Sequence, residues 1–222
     1  LKDLPAISIE AACSGFVYAM NLANKFILSG DSKCALVIGA ETLSRITDWE
    51  DRNTCVLFAD GAGAAILKPS EDPGIIYSKL GANGAYSDLL YVPYGTSKRP
   101  LKEQRNDNFL QMKGNEVFKV AVKTLESIAK DSLKEVNMTS EDIDWFIPHQ
   151  ANIRIIQAVS KRLNIPEKKV IISLTDHGNT SAASIPLALD QSIREGKIKT
   201  GDTVLLQSFG AGFTWGTVII KI

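Results

Sequence analysis

The sequence predicts an α/β sandwich built on a largely buried sheet, on three observations. Strand-like and helix-like hydrophobic stretches alternate through most of the chain. The 222 residues, 45% of them hydrophobic, suffice for a sizeable core in one or two domains. A strand–helix–strand pattern also occurs twice. Cys13 heads a helix that ends at Gly30 and feeds a strand at Cys34–Ile38, and Asn179 heads one that ends at Gly196 and feeds Thr203–Leu206. Both residues stand 17 positions ahead of their glycine. Duplicated units would set Cys13 and Asn179 at equivalent helix heads across a pseudo-twofold axis.

The elements follow in order. Pro5–Ile9 reads as extended, and no charge falls between Glu10 and Lys25, so the first turns of the helix after Cys13 should be buried. After the strand Cys34–Ile38 and a polar loop through Asp48–Arg52 comes a strand near Val56–Ala59. Asp60-Gly-Ala-Gly63 then turns the chain into Ala64–Leu67, and Ile75–Leu80 is the next strand. Asn83–Asn108 is rich in Gly, Pro and polar residues and reads as a surface excursion of the kind on which binding surfaces are built.

A long helix is predicted from Asn115 to Val136, its apolar stripe formed by Phe118, Ala121, Val122, Leu125, Ile128, Ala129 and Leu133. Thr139-Ser-Glu-Asp142 is a capping signal. Ile143–Ile147 is a strand halted at Pro148, Ala151–Leu163 a helix, Val170–Leu174 a strand and Asp176–Asn179 a turn. Pro186 is tolerated in the helix after Asn179 if it lies in the first turn. Thr203–Ser208, a glycine-rich bend and Thr217–Ile222 form a closing hairpin.

Composition excludes some functions. Lys plus Arg number 25 and Asp plus Glu 25, a zero balance that argues against bulk nucleic-acid binding. No apolar run is long enough to span a bilayer, and no signal peptide is read. Cys13, Cys34 and Cys55 are odd in number and lack metal-type spacing. Cys34 and Cys55 run into strand-like stretches and are expected in the core, which points to a reducing, cytoplasmic setting. No metal ligand set is predicted.

Cys13 is the candidate nucleophile, because a thiol at a helix N-terminus can have its pKa lowered to about 3.5–7.5. Gly61-Ala-Gly63 and Gly210-Ala-Gly212 both lead into strands, so neither fits a dinucleotide fingerprint. Such turns can still offer backbone N–H groups to an oxyanion. His149 ends a strand and precedes a helix, where the dipole disfavours protonation, and a neutral imidazole suits stabilising an enolate. His177 reads as a surface turn residue. The order Cys13, His149, Asn179 also occurs in papain-like proteases, but Ala-Ala before and Ser-Gly-Phe after the cysteine do not fit their local signature.

Four motifs together resemble β-ketoacyl-acyl-carrier-protein synthase III: Ala11-Ala-Cys-Ser-Gly-Phe16, Pro148-His-Gln-Ala-Asn152, Gly178-Asn-Thr-Ser-Ala-Ala-Ser184 and Phe209-Gly-Ala-Gly-Phe-Thr-Trp-Gly216. Met112-Lys-Gly-Asn-Glu-Val-Phe118 is similar as well. The resemblance implies a thiolase-like layered αβαβα sandwich of two duplicated halves. Residues 1–81 would be the remainder of the N-terminal half, 82–114 a connecting excursion and 115–222 the C-terminal half.

The implied reaction is a decarboxylative Claisen condensation that initiates fatty-acid synthesis. Cys13 would take an acyl group, acetyl first among candidates, from acyl-CoA, with the N–H groups of Cys13 and Ala211 holding the oxyanion. His149 and Asn179 would then hydrogen-bond the thioester carbonyl of malonyl-acyl carrier protein, and Phe209 would pack against the nucleophile. Arg52 and Asn152 fall where the family contacts coenzyme A, and Lys119, Arg154, Lys161 and Arg162 on its carrier-docking surface. A coenzyme A thioester is a substrate, no cofactor is implied, and a homodimer is expected.

The chain departs from the pattern in three ways. It begins close before the nucleophile, where family members carry roughly a third of their length, so exposed core edges are expected. Ser8 stands where an aspartate is common, and Glu10 where a small residue is usual. A carboxylate near Cys13 would raise the thiol pKa. Ala211 replaces a frequent glycine. Two rivals stay open: a relative using the same three residues on another acceptor, as in polyketide or quinolone priming, and a non-catalytic carrier-docking chain.

Overall fold

A computed structural model describes residues 2–93 and 108–222 of the chain; residues 94–107 of the predicted excursion lie outside them. Among the described residues, helices α1 (Gly15–Leu28), α2 (Gly114–Glu135), α3 (Ile153–Arg162), α4 (Leu174–His177) and α5 (Ser184–Arg194) accompany eight strands. The strands are β1 (Ala35–Glu41), β2 (Gly61–Leu67), β3 (Ile75–Ala82), β4 (Leu90–Tyr91), β5 (Gln111–Met112), β6 (Trp145–Pro148), β7 (Thr203–Gly210) and β8 (Thr214–Lys221).

The central sheet has the order β3-β8-β7-β6, with only β6–β7 parallel. Every residue of β7 is buried, as a strand covered on both faces requires. One face packs Phe146, Leu205 and Ile219 against Val117, Ala121 and Leu125 of α2 and Val159 of α3. The other packs Ile147, Leu206 and Val218 against Phe16 and Val17 of α1 and Ile185 and Ala188 of α5. Beyond α1 and α5 lies the antiparallel pair β1–β2, which contributes Val37 to that second core.

The order of layers is therefore helix, sheet, helix, sheet. A fifth layer has no counterpart among the described residues, and the outer face of β1–β2 leaves Leu36, Ile38 and Ile66 more than half exposed. Because β3 ladders antiparallel with β8, Ile75–Ala82 belongs to the second sheet.

The duplicated unit is present with a different register. Each copy opens with a single 3-10 turn, Ala12–Ser14 or Ser181–Ala183, whose first residue has positive φ: 46° at Ala12 and 50° at Ser181. Each ends its helix at a positive-φ glycine, Gly30 or Gly196. By these landmarks Cys13 matches Ala182, and Asn179 lies ahead of the second turn. The equal spacing seen in the sequence arises because α5, with 11 residues, is shorter than α1, with 14.

Other elements shift for identifiable reasons. Gly61 and Gly63 lie inside β2, because α5 and the residues before it crowd that strand. A Cβ on Gly63 would come 2.9 Å from the Pro186 ring, and one on Gly61 would come 2.9 Å from Thr180. Val56–Ala59 is a turn with one bridge from Phe58 to Asn179, and Val170–Leu174 keeps only a bridge from Val170 to Phe146. Cys34 precedes β1 and is exposed, and Cys55 is half-buried, so neither is a core residue. Pro5–Ile9 pairs in no described strand.

Candidate active site

Cys13 sits in the Ala12–Ser14 turn at the head of α1. The turn is tied to the β7–β8 hairpin by two reciprocal bonds. Ser14 Oγ donates to the Thr214 carbonyl at 3.1 Å, and Thr214 Oγ1 donates to the Ala11 carbonyl at 2.7 Å. Gly210, at the end of β7, lies against it so closely that a Cβ there would be 2.7 Å from the Cys13 nitrogen. Backbone meets backbone at this point, and only glycine fits.

His149 follows Pro148 at the end of β6, where its N–H donates to the Gln207 carbonyl on β7 at 2.7 Å. Its ring is buried, and Nδ1 lies 2.6 Å from Ser184 Oγ, at the first position of α5. That oxygen already accepts the Gln150 N–H at 3.3 Å. In the tautomer where Ser184 gives its hydrogen to Nδ1, the ring proton sits on Nε2. Burial lowers the His149 pKa to about 4, so the ring is neutral at physiological pH.

Asn179 is buried, and its backbone is bonded on both sides to residues 57–59: its N–H donates to Leu57 O and its carbonyl accepts from Ala59 N, each at 2.9 Å. Its Oδ1 accepts the Ser181 N–H at 2.9 Å, which leaves the Nδ2 hydrogens for another acceptor. The segment 178–184 thus bears on both other groups. Ser181 holds the Cys13 thiol pKa below what burial alone would give, and the Ser184 hydroxyl lies 2.6 Å from the His149 ring. The sequence motif contained both serines but carried no sign of which atoms they hold.

The thiol departs from the expected electrostatics. Burial pushes Cys13 up to about 11, Ser181 opposes that shift, and the Glu41 carboxylate adds to it. Desolvation of a thiolate outweighs a single turn of helix dipole. Glu41, at the end of β1, was not marked by any pattern in the sequence. Burial holds the Glu41 carboxyl above the usual carboxylate range, and the charge of exposed Glu10 adds to that rise.

The remaining candidates are dispersed. Ala211 follows Gly210 in the bend between β7 and β8. Phe209 directs its ring at Phe213, with centroids 4.6 Å apart and planes tilted 55°, in the core beneath α2 and α3. Arg52 is exposed in the turn before Phe58. Asn152 caps α3, its Oδ1 accepting the Arg154 N–H at 2.8 Å. Arg154 lies over the Phe118 ring at 5.6 Å, Lys119 and Lys161 are exposed, and Arg162 is engaged with Glu126 at 2.7 Å. Among the described residues no group of three or more His, Cys, Asp or Glu could hold a metal ion, and no helix is long and apolar enough to cross a membrane.

Comparison with known proteins bears on this arrangement. Residues 7–84 match the family 3-oxoacyl-[acyl-carrier-protein (ACP)] synthase III, and residues 133–222 match its C-terminal family. A beta-ketoacyl-[acyl-carrier-protein] synthase III of Thioalkalivibrio sulfidiphilus is 51% identical over 216 residues, 97% of this chain and 67% of the relative. The chain spans about two thirds of the length of the curated relatives it matches. The crystal structure of the Aquifex aeolicus VF5 synthase III superposes with a TM-score of 0.92 at 46% identity, covering all of this chain and 68% of that one. The priming beta-ketosynthase of the R1128 polyketide pathway superposes at 0.90 with 35% identity, covering 96% of this chain and 64% of that one. With family matches in both parts of the chain and half its residues shared with named relatives, the chain belongs to the 3-oxoacyl-[acyl-carrier-protein] synthase III family and has its thiolase-like fold.

Proposed function

We propose that this protein initiates fatty-acid synthesis by condensing an acyl-CoA with malonyl-acyl carrier protein through an acyl-cysteine. The observation that carries the reading is the 178–184 segment, which supplies Asn179 and holds the buried, neutral His149 ring through Ser184 Oγ at 2.6 Å. In the first half-reaction the Cys13 sulfur attacks the thioester carbonyl. The N–H groups of Cys13 and Ala211 receive the oxyanion, and coenzyme A leaves with the thiol proton.

In the second half-reaction the His149 Nε2–H and the Asn179 Nδ2–H donate to the malonyl thioester oxygen. They stabilise the enolate formed as carbon dioxide departs. The enolate carbon attacks the acyl-cysteine, and the Cys13 sulfur leaves. A neutral His149 suits this role, since an imidazole held below its usual pKa donates without first shedding a proton. Phe209 supports the nucleophile through the backbone of Gly210.

Coenzyme A is assigned to Arg52 and Asn152, and the acidic carrier protein to Lys119, Arg154, Lys161 and Arg162. The protein acts as a cytoplasmic homodimer and needs no cofactor or metal. In the test, the whole protein is incubated with a panel of acyl-CoAs and weighed intact. A thioester adduct that is absent from Cys13→Ala supports the reading; no adduct with any primer, or one that survives the substitution, overturns it. Malonyl-carrier decarboxylation should fall by about 10²–10⁴ in His149→Ala, and also in Asn179→Ala.

A further inference from the structure

Ser184 is buried at the first position of α5, and its hydroxyl meets two groups among the described residues. Oγ accepts the Gln150 N–H at 3.3 Å and lies 2.6 Å from His149 Nδ1. Both sides of this contact are fixed. On the helix side, a Cβ on Gly39 of β1 would come 2.5 Å from the Ala182 carbonyl oxygen. One on Gly63 of β2 would come 2.9 Å from the Pro186 ring, so the strands clamp the head of α5.

On the histidine side, the His149 N–H is bonded to Gln207 on β7 at 2.7 Å. The next residue, Gln150, is fully buried and pins the bend with its amide. Its Nε2 donates to the Pro148 carbonyl at 2.7 Å and the Ile171 carbonyl at 3.3 Å, and its Oε1 accepts the Ser173 N–H at 2.9 Å. Its backbone N–H is thereby held on Ser184. A serine hydroxyl has one hydrogen to give, and Nδ1 is the only acceptor within its reach among the described residues.

We infer that Ser184 is a positioning residue for His149: its hydroxyl, already accepting the Gln150 N–H, donates to Nδ1 and so fixes the ring proton on Nε2. The other tautomer fails twice. With the proton on Nδ1, the ring donates to Oγ, and the serine hydrogen is buried without an acceptor. Nε2 then turns a lone pair towards the malonyl thioester oxygen and repels the enolate. Ser184 meets no substrate and acts only through the ring.

The inference rests on His149 as the enolate-stabilising donor proposed above, but its first readout needs no substrate, so the two readings fail separately. Whole protein labelled with nitrogen-15 histidine is recorded by long-range proton–nitrogen correlation NMR at neutral pH. The His149 ring is the spin system absent from His149→Gln. The unaltered protein should show Nε2 protonated and Nδ1 bare. Ser184→Ala should shift the ratio of tautomers towards Nδ1–H by about threefold to tenfold, the worth of one hydrogen bond. Its kcat for malonyl-carrier decarboxylation should fall by a similar factor, about threefold to tenfold, at unchanged KM. Ser184→Thr, which keeps the hydroxyl, should restore both. A tautomer ratio or a kcat unchanged in Ser184→Ala overturns the inference. Should the variants misfold, the unaltered protein still decides the matter, because a ring protonated on Nδ1 overturns it outright.

Discussion

The two copies of the strand–helix–strand unit share a backbone plan and differ in almost everything that surrounds it. Both open with a positive-φ residue in a 3-10 turn and close their helix at a positive-φ glycine. The first runs into β1, where buried and exposed residues alternate and Leu36 and Ile38 face outward. The second runs into β7, where nothing is exposed. Each copy still carries a candidate site residue, Cys13 within the first turn and Asn179 in the segment ahead of the second. The lesson is that a local turn can be kept while the burial of its strand is free to change.

This contrast can be broken first by truncating one leucine in each strand. Leu205→Ala in β7 should cost about 2–5 kcal/mol in chemical denaturation, whereas Leu36→Ala in β1 should stay within about 0.5 kcal/mol. Similar losses at both sites would show that β1 is covered in solution. The next effect belongs to His149, whose folded pKa of about 4 lies below its unfolded value of 6.5. The unfolded chain binds the extra proton between those values, so stability is complete above pH 6.5 and declines as pH falls towards 4. The loss reaches about 3 kcal/mol. His149→Gln should flatten that slope in denaturation curves measured at several pH values.

A smaller pair of substitutions sharpens the likeness. Gly30→Ala and Gly196→Ala meet no atom within 4 Å, so only backbone strain remains. Each should cost about 1 kcal/mol, and equally. The smallest effect separates the turn heads again. Ala12→Gly should raise stability by roughly 0.5–1 kcal/mol by relieving a strained φ, while Ser181→Gly should not, because it also removes the hydroxyl that reaches Glu41. A gain at both positions, read from thermal melts, would argue against a structural role for that hydroxyl.

Much of the frame was legible in the sequence. Helix α2 is one residue off at each end of its prediction, because its apolar stripe is long and periodic. The order of the longer strands and helices emerged from alternation, although Val56–Ala59 and Val170–Leu174 keep only isolated bridges. Crowding was not legible: Gly61 and Gly63 look like turn residues until Pro186 and Thr180 are placed against them. Nor was the true register of the repeat, since three residues lost from a helix offset three gained before it.

At the site, Cys13, His149 and Asn179 could be picked out by type and context. Ser184 and Glu41 could not, because their importance lies in which atom they touch. The thiol's charge balance was misjudged for the same reason: a dipole is visible in a helix-start pattern, but desolvation depends on neighbours distant in the chain.

The crossed bonds of Ser14 and Thr214 join residues 200 positions apart. Such contacts form late, because the loop they close must first be ordered. During synthesis the cysteine emerges well before β8, yet the turn that shapes it waits for that strand. A chain still short of β8 therefore carries the thiol without its setting.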